Sequence, residues 1–128
     1  MKSDEVYVKK SKINGEGSFA GRDFKKGEIV HHWDMSHRIS EQEFFELSDK
    51  EKEYVSLING RYTKMQSPEN RTNNSCNYNV EVKNFCDVAI RDIKKDEEIT
   101  SDYSKESPPG FEMICHCGAE NCRKIIKS

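Results

Sequence analysis

The residues best suited to chemistry are five cysteines, three of which lie close together near the end of the chain. Cys115, Cys117 and Cys122 form the pattern Cys-x-Cys-x-x-x-x-Cys, with a glycine after the second cysteine. Closely spaced thiolates beside a turn are typical of tetrahedral zinc sites, which need four ligands. The simpler alternative to a zinc site is a C-terminal tail whose thiols bind no metal. If zinc binds, the fourth ligand has three candidates: Cys76, Cys86 and His116.

Two further segments contain residues suited to ligand binding. Residues 14–18, Asn-Gly-Glu-Gly-Ser, form a glycine turn in which backbone could approach a ligand closely, although an ordinary tight turn is the simpler interpretation of this pattern alone. Residues 67–79 form an asparagine-rich loop, and asparagine favours turns through side-chain bonds to the backbone. Taken alone, this loop is best interpreted as a solvated turn.

Length, charge and composition narrow the classes to which this protein can belong. The 128 residues are enough for one domain, and the formal charge of −2 does not favour a basic nucleic-acid binder. Hydrophobic and charged residues each make up 34%, so we expect a lean core. The first residues lack the apolar segment of a secretory signal, and no apolar run is long enough for a membrane helix. We therefore expect an intracellular protein with reduced cysteines and no membrane partner.

Many short strands with turns between them are predicted to position these residues. Residues 5–10 alternate like a half-buried strand, and 28–30, 80–93 and 97–100 are further strand candidates. This rhythm predicts a mostly β fold with a small helical insert. Residues 107–110, Ser-Pro-Pro-Gly, indicate a linker before the cysteine cluster.

The helical insert is predicted at about residues 40–58. Ser40 with Glu43, and Ser48 with Glu51, fit the capping box that begins a helix. The apolar residues expected to form the buried stripes of two short helices are Phe44, Phe45 and Leu47, then Tyr54, Val55 and Ile58.

Four segments, in chain order, resemble the SET-domain protein lysine methyltransferases. They are Gly15–Ala20 with Phe24–Glu28, Asn73–Asn79, Ala89–Tyr103, and the cysteine cluster, which is similar to the post-SET zinc motif. The resemblance implies a β-clip, SET-like fold of small sheets with a pseudoknot-like threading at the active site. It also implies a SET domain over residues 1–106 and a post-SET zinc-binding segment over residues 107–128.

The same resemblance implies roles for individual residues. Tyr103 is implied to be catalytic, and Ser101 is implied to lie in the substrate channel, where the family often has Tyr or Phe. Phe111 fits either a channel wall or packing of the linker. One zinc ion would be held by Cys76, Cys115, Cys117 and Cys122, which leaves Cys86 in the core. The residues implied to bind S-adenosylmethionine are Gly15, Glu16, Gly17, Asn73, Asn74 and Tyr103.

The implied reaction is methyl transfer to a protein lysine, with a histone tail or another basic protein as substrate. Such a reaction requires a neutral amine, yet the pKa of lysine is about 10.4, so deprotonation at pH 7 costs about 4–5 kcal/mol. A narrow apolar channel and the nearby sulfonium would lower this cost. The small Ser101 should leave room for more than one methyl group. We expect no sequence-specific nucleic-acid binding, and a monomer or a homodimer.

Two departures from the family pattern support an alternative. Asn74 stands where the family has His, and Tyr78 stands where it has Pro. Together with Ser101, they are also compatible with a catalytically inactive SET-like module that binds zinc and a partner protein. Binding of S-adenosylmethionine discriminates between the two.

Overall fold

The structure is a computed structural model that describes residues 5–58, 60–66, 71–105, 107–108 and 110–128. Short strands dominate these ranges, and the two α-helices have six and four residues. The elements are β1 Val6–Lys10, β2 Glu16–Ala20, β3 Ile29–His32, β4 Arg38–Ile39, α1 Glu41–Glu46, α2 Asp49–Lys52, β5 Val55–Ile58, β6 Arg61–Lys64, β7 Asn73–Asn74, β8 Val80–Lys83, β9 Cys86–Ala89, β10 Glu98–Ser101, a 3-10 turn Tyr103–Lys105, β11 Glu112–Ile114 and β12 Ile125–Lys127. The mostly β fold with small sheets is thus confirmed.

The first sheet brings distant parts of the chain together. Its strand order is β1-β2-β10-β7, in which β2 pairs antiparallel with both β1 and β10. The two-residue strand β7 pairs in parallel with β10, so that Asn73 lies opposite Thr100 and Asn74 opposite Ser101. This pairing places the asparagine segment directly beside the end of β10, two residues before Tyr103.

The remaining strands form three smaller sheets. β3, β9 and β8 form one sheet, β4, β6 and β5 form another, and β11 and β12 form a hairpin. The main core contains eight side chains that are at most 5% exposed: Val6, Ala20, Phe24, Val30, Val80, Ala89, Ile93 and Ile99. A second buried cluster consists of Cys76, Cys115 and Ile126, of which Ile126 is fully buried. The side chains of Tyr103 and Phe111 pack against this cluster.

The prediction of the helical insert is correct only in part. Both capping boxes are confirmed. The side chains of Ser40 and Ser48 each accept a hydrogen bond from the backbone N–H of the glutamate three residues on, and that glutamate's carboxylate accepts one from the backbone N–H of the serine. The second predicted stripe is wrong, because residues 55–58 form β5 and pair with β6. The β-branched Val55 and Ile58 favour a strand, and the sequence pair Asn59-Gly60 between β5 and β6 is a strong hairpin signal.

The first predicted stripe is also wrong at one position. Phe44 is buried and stacks on Tyr62 of β6 with ring centroids 4.8 Å apart, but Phe45 is 63% exposed. α1 has only six residues, so it presents one buried side chain to the insert's sheet rather than a full stripe. Cys86 is buried, as predicted, and Trp33 is buried as well. No helix in the described ranges is long and apolar enough to cross a membrane.

Candidate active site and metal centre

The four cysteines proposed as zinc ligands lie together. The sulfur atoms of Cys76, Cys115, Cys117 and Cys122 are all within 4.8 Å of one another. A tetrahedral ion with Zn–S distances of about 2.3 Å separates its sulfurs by about 3.8 Å, so the spacing and the all-thiol donor set fit one zinc ion. Within the described ranges this group includes neither Cys86 nor His116, the other two candidates for the fourth ligand.

Local backbone geometry brings the three tail cysteines to one point. Gly118 has a φ of +72°, a left-handed conformation that favours glycine, and it directly follows Cys117. The backbone N–H of Cys115 donates to Lys124 O at 2.7 Å, where the β11–β12 hairpin begins. The chain therefore turns back on itself, and Cys122 returns to Cys115.

The protonation preferences of two of these thiols differ. Burial raises the pKa of Cys115 to about 12. Burial also raises the pKa of Cys117, but hydrogen bonds from the backbone at Cys76 and Ala119 and from neighbouring thiols outweigh it and lower that pKa to about 6. Since zinc binds thiolates, metal binding at this cluster must release protons, and the hydrogen bonds around Cys117 favour its ionised form.

Arg123 supports the cluster from outside. Its backbone N–H and its Nε donate to Cys76 Sγ at 3.1 and 3.3 Å, and its Nη2 donates to Asp102 Oδ1 at 3.0 Å. Hydrogen bonds to a ligating sulfur stabilise the thiolate form. Asp102 immediately precedes Tyr103, so this arginine connects the tail cluster to the candidate active site.

The glycine turn and the asparagine strand are joined by the side chain of Asn73. Its Nδ2 lies 3.1 Å from Asn14 O, 3.1 Å from Glu16 O and 3.0 Å from Glu98 Oε2. Gly15 has a φ of +45° with open space around its Cα, so glycine is favoured there by backbone conformation rather than by a close neighbour. Asn73 thus acts through its side chain as a positioning residue for the turn.

Gly17 is favoured for a different reason. A Cβ at this position would collide with the carboxylate of Glu98, which accepts from Ser11 Oγ at 2.8 Å. Sequence reasoning missed Glu98 because its partners Ser11 and Asn73 are 87 and 25 residues away and no local spacing connects them. The carboxylate therefore binds the glycine turn to both β10 and β7.

Tyr103 is held at three points. Its hydroxyl donates to Thr72 O at 2.6 Å, and its backbone N–H donates to Asn74 Oδ1 at 2.8 Å. Its ring lies edge-on to Phe111, with centroids 6.2 Å apart. These contacts orient the hydroxyl toward the strand that carries the asparagine segment.

Asn74, which replaces the family's histidine, links two parts of the site. It is 3% exposed, and its Nδ2 donates to Cys115 Sγ at 3.4 Å while its Oδ1 accepts from Tyr103. The side chain therefore bridges a sulfur of the candidate metal centre and the backbone of the candidate catalytic residue.

A cavity of about 430 Å³ connects these parts. Six of the predicted site residues line it: Gly15, Glu16, Asn73, Ser101, Tyr103 and Phe111. Gly17 and Asn74 are not among the residues that line this cavity within the described ranges. Residues outside the prediction complete the wall: Asn14, Trp33, Glu53, Tyr54, Val55, Ser56, Met65, Arg71, Thr72, Asp87, Ser107, Glu112 and Met113.

Comparison with known proteins agrees with this architecture. The SET domain family profile matches residues 15–104. Over 94% of its length the chain is 32% identical to "Histone-lysine N-methyltransferase trr" of Drosophila melanogaster and 31% identical to "Histone-lysine N-methyltransferase 2D" of Homo sapiens. The chain spans only 6% and 2% of the length of these relatives.

The fold is also found among solved structures. The crystal structure of a Plasmodium falciparum protein assigned as a histone methyltransferase superposes with a TM-score of 0.60 at 22% identity. The superposition covers 75% of this chain and 90% of the other. The family match covers well over half of the chain, and the chain therefore belongs to the SET-domain family.

Proposed function

We propose that the protein transfers a methyl group from S-adenosylmethionine to a lysine side chain of another protein. The observation that carries this proposal is that one cavity joins the glycine turn and Asn73 to Ser101, Tyr103 and Phe111. Family membership and the histone-lysine methyltransferase relatives support the same activity.

The cofactor end of the cavity is formed by Gly15, Glu16 and Asn73. Bound S-adenosylmethionine supplies a methyl group on a positively charged sulfur. Gly15 and Glu16 lie on the exposed turn in the cavity wall, and Gly15 carries no side chain that would keep a ligand away from the backbone. Asn73 and Glu98 keep this backbone in place through the bonds described above, so the turn is preorganised for a ligand.

The amine end is formed by Tyr103, Ser101 and Phe111. A lysine attacks as the neutral amine, and burial in a cavity lined by aromatic rings lowers its pKa by penalising the ammonium form. The Tyr103 hydroxyl is fixed by its bond to Thr72 O, so its oxygen has a defined position from which to orient the amine. Ser101 is 2% exposed and small, which leaves volume for methyl groups already on the nitrogen.

The tail completes this cavity. Ser107, Phe111, Glu112 and Met113 line it from the segment after residue 106, and zinc bound by the four cysteines would hold that segment against Tyr103. We assign residues 1–106 to the SET domain and 107–128 to a post-SET segment on this basis. The substrate we propose is a histone or another basic protein in the nucleus or elsewhere inside the cell, acted on by a monomer or a homodimer.

The decisive experiment measures labelled methyl transfer onto histones and whole-cell lysate. We expect transfer by the wild type and a loss of at least 100-fold for Tyr103→Phe. The matched control is Tyr7→Phe, since Tyr7 donates its hydroxyl to Asp96 on the surface, away from the cavity. A zinc-loaded protein that binds no S-adenosylmethionine in calorimetry would overturn the proposal and favour the inactive zinc-binding module.

A further inference from the structure

Arg123 joins three segments that lie far apart in the sequence. It directly follows Cys122, and its backbone N–H and its Nε donate to the sulfur of Cys76, which is 47 residues away. Its Nη2 donates to Asp102 Oδ1 at 3.0 Å, and its Nη1 donates to Ser104 Oγ at 3.3 Å. Every nitrogen of this arginine is therefore engaged, so a shift of one segment must strain or break its contacts to the others.

The Arg123 contacts lie on both sides of the candidate catalytic tyrosine, because Asp102 precedes Tyr103 and Ser104 follows it. The Asp102 carboxylate also accepts from the backbone N–H and the hydroxyl of Ser104, at 3.0 and 2.6 Å. The Asp102 carbonyl accepts from the N–H of Lys105 at 3.1 Å. These bonds define the 3-10 turn that begins at Tyr103, so a contact that holds the Asp102 side chain also fixes the start of this turn.

The two acceptors that Arg123 joins are buried, whereas the arginine itself is not. Cys76 is 8% and Asp102 is 6% exposed, while the side chain of Arg123 is 40% exposed. A buried carboxylate needs partners that offset its lost hydration, and the guanidinium supplies them. Its donors form a fixed planar fork, which serves a sulfur and a carboxylate together in a geometry that a single ammonium does not reproduce.

We propose that Arg123 is a positioning residue for Tyr103 and that it links metal binding to the active-site turn. Zinc would fix the position of the Cys76 sulfur, which accepts two bonds from Arg123. Arg123, once fixed, holds Asp102 and with it the turn. Such coupling is reciprocal, so an ordered turn should favour metal binding as much as the metal favours the ordered turn. The effect on methyl transfer rests on the proposed function, whereas the effects on zinc affinity and on the turn do not.

The first test is zinc affinity, measured by competition with a chelator. Arg123→Gln removes the guanidinium but leaves the four cysteines, so we expect one zinc per chain at saturation and an affinity lower by about tenfold or more. The matched control is Arg91→Gln, since Arg91 donates to the backbone carbonyls of the two residues after Cys76 and, in the described ranges, to no cysteine. Unchanged affinity in Arg123→Gln, or an equal loss in both variants, would overturn the proposal.

The second test reports on the turn and needs no cofactor. In the zinc-loaded protein, Arg123→Gln should speed hydrogen exchange about fivefold or more at the amides of Ser104 and Lys105, which donate to Asp102. The amides paired in the β11–β12 hairpin should keep their protection. Unchanged rates at the two turn amides would overturn the proposal, because Arg123 would then act on the cysteines alone. Faster exchange throughout the hairpin would also overturn it, since that result indicates a general loosening of the tail.

A double-variant cycle distinguishes one connected path from two independent contacts. Asp102→Asn weakens the far end of the Arg123 bridge, so we expect it to lower zinc affinity about threefold although Asp102 donates to no cysteine. The double variant Arg123→Gln/Asp102→Asn should then lose no more than about twofold beyond Arg123→Gln alone. Additive losses, or full zinc affinity in Asp102→Asn, would overturn the proposal. Arg123→Lys carries the tests if Arg123→Gln does not fold, with smaller losses in the same direction.

Kinetics relate the path to the reaction and separate this inference from the proposed function. With zinc saturating, Arg123→Gln should lower kcat about tenfold while KM for the protein substrate stays within about threefold, because a displaced Tyr103 affects the chemical step. A rise in KM at unchanged kcat would overturn the positioning role. A wild type that transfers no methyl group, in which Arg123→Gln still lowers zinc affinity and loosens the turn, would overturn the proposed function alone.

Discussion

The side-chain oxygen of Asn74 accepts a hydrogen bond from the backbone N–H of Tyr103 at 2.8 Å. The other end of the same amide donates to Cys115 Sγ at 3.4 Å. One buried asparagine thus connects the tail cysteines to the residue that we assign to catalysis. Asn74 stands where the family pattern has histidine, so this position keeps a polar side chain.

Removal of this amide should impair Tyr103. In Asn74→Ala the buried N–H of Tyr103 loses its acceptor, which costs about 1–3 kcal/mol, so we expect kcat to fall about 10- to 100-fold. Initial-rate kinetics with a labelled methyl donor measure this. Asn121→Ala is the matched control, because Asn121 also donates next to the cluster, to Cys76 O at 3.0 Å, but does not contact Tyr103. Equal losses in both variants would contradict the specific role of Asn74.

The cysteines should divide into four ligands and one core residue. We expect one zinc per chain by elemental analysis, and its loss in Cys76→Ser and in Cys117→Ser because each removes one of four sulfurs. Cys86→Ser should retain the metal, since Cys86 lies on β9 with its sulfur 3.1 Å from His32 Nδ1. Full zinc content in Cys76→Ser would contradict this ligand set.

Chelation should release the tail before it unfolds the sheets. The second core cluster is built on Cys76, Cys115 and Ile126, whereas the main core around Phe24 and Ile99 is separate. Hydrogen exchange after zinc removal should therefore accelerate at residues 110–127 and at Tyr103, with β1 and β2 still protected. Uniform acceleration along the chain would show instead that the two clusters unfold together.

Ser101 should control how many methyl groups the product carries. We expect mass spectrometry to show di- or trimethyllysine with the wild type, and a shift to monomethyllysine in Ser101→Tyr, because the larger ring occupies the volume beside the amine. Ser101→Ala is the control and should keep the wild-type product. An unchanged product in Ser101→Tyr would contradict this role.

A single carbon added at Gly17 should disturb the hydrogen bonds of Glu98. Gly17→Ala must displace the Glu98 carboxylate, which holds Ser11 and Asn73, so we expect a loss of at least 1 kcal/mol in the free energy of unfolding and weaker cofactor binding. The double variant Gly17→Ala/Glu98→Ala should recover part of the stability, since the clash is gone. Additive losses measured by urea denaturation would argue against a direct conflict.

The fold was predictable where local patterns determine structure. The capping pairs at Ser40 and Ser48 marked both helix starts, and alternation marked β1. The helix prediction failed at Val55 because apolar periodicity in so short a segment does not separate strand from helix, and the partner strand decides. The order β1-β2-β10-β7 could not be read from the residues, since it depends on pairings between distant segments.

The site was predictable only where it resembles the family. Tyr103 and Cys76 were predicted from motifs that resemble those of the family. In the structure Tyr103 lines the cavity with Ser101, and Cys76 lies with the tail cysteines. Glu98 and Asp87 were missed because their hydrogen-bond partners Asn73 and Trp33 lie far away in sequence. A carboxylate in a strand has no local signature that distinguishes burial in a cavity from exposure on a face.

The parallel pairing of β7 with β10 has a consequence for how the protein reaches its native state. Asn73 contacts Asn14 across 59 residues, and Tyr103 contacts Thr72 across 31, so these contacts form only after long stretches of chain have closed. Domains dominated by such contacts fold slowly for their size. Stopped-flow refolding followed by the single tryptophan, Trp33, should therefore show a slow phase, and the ability to bind cofactor should be the last property to return.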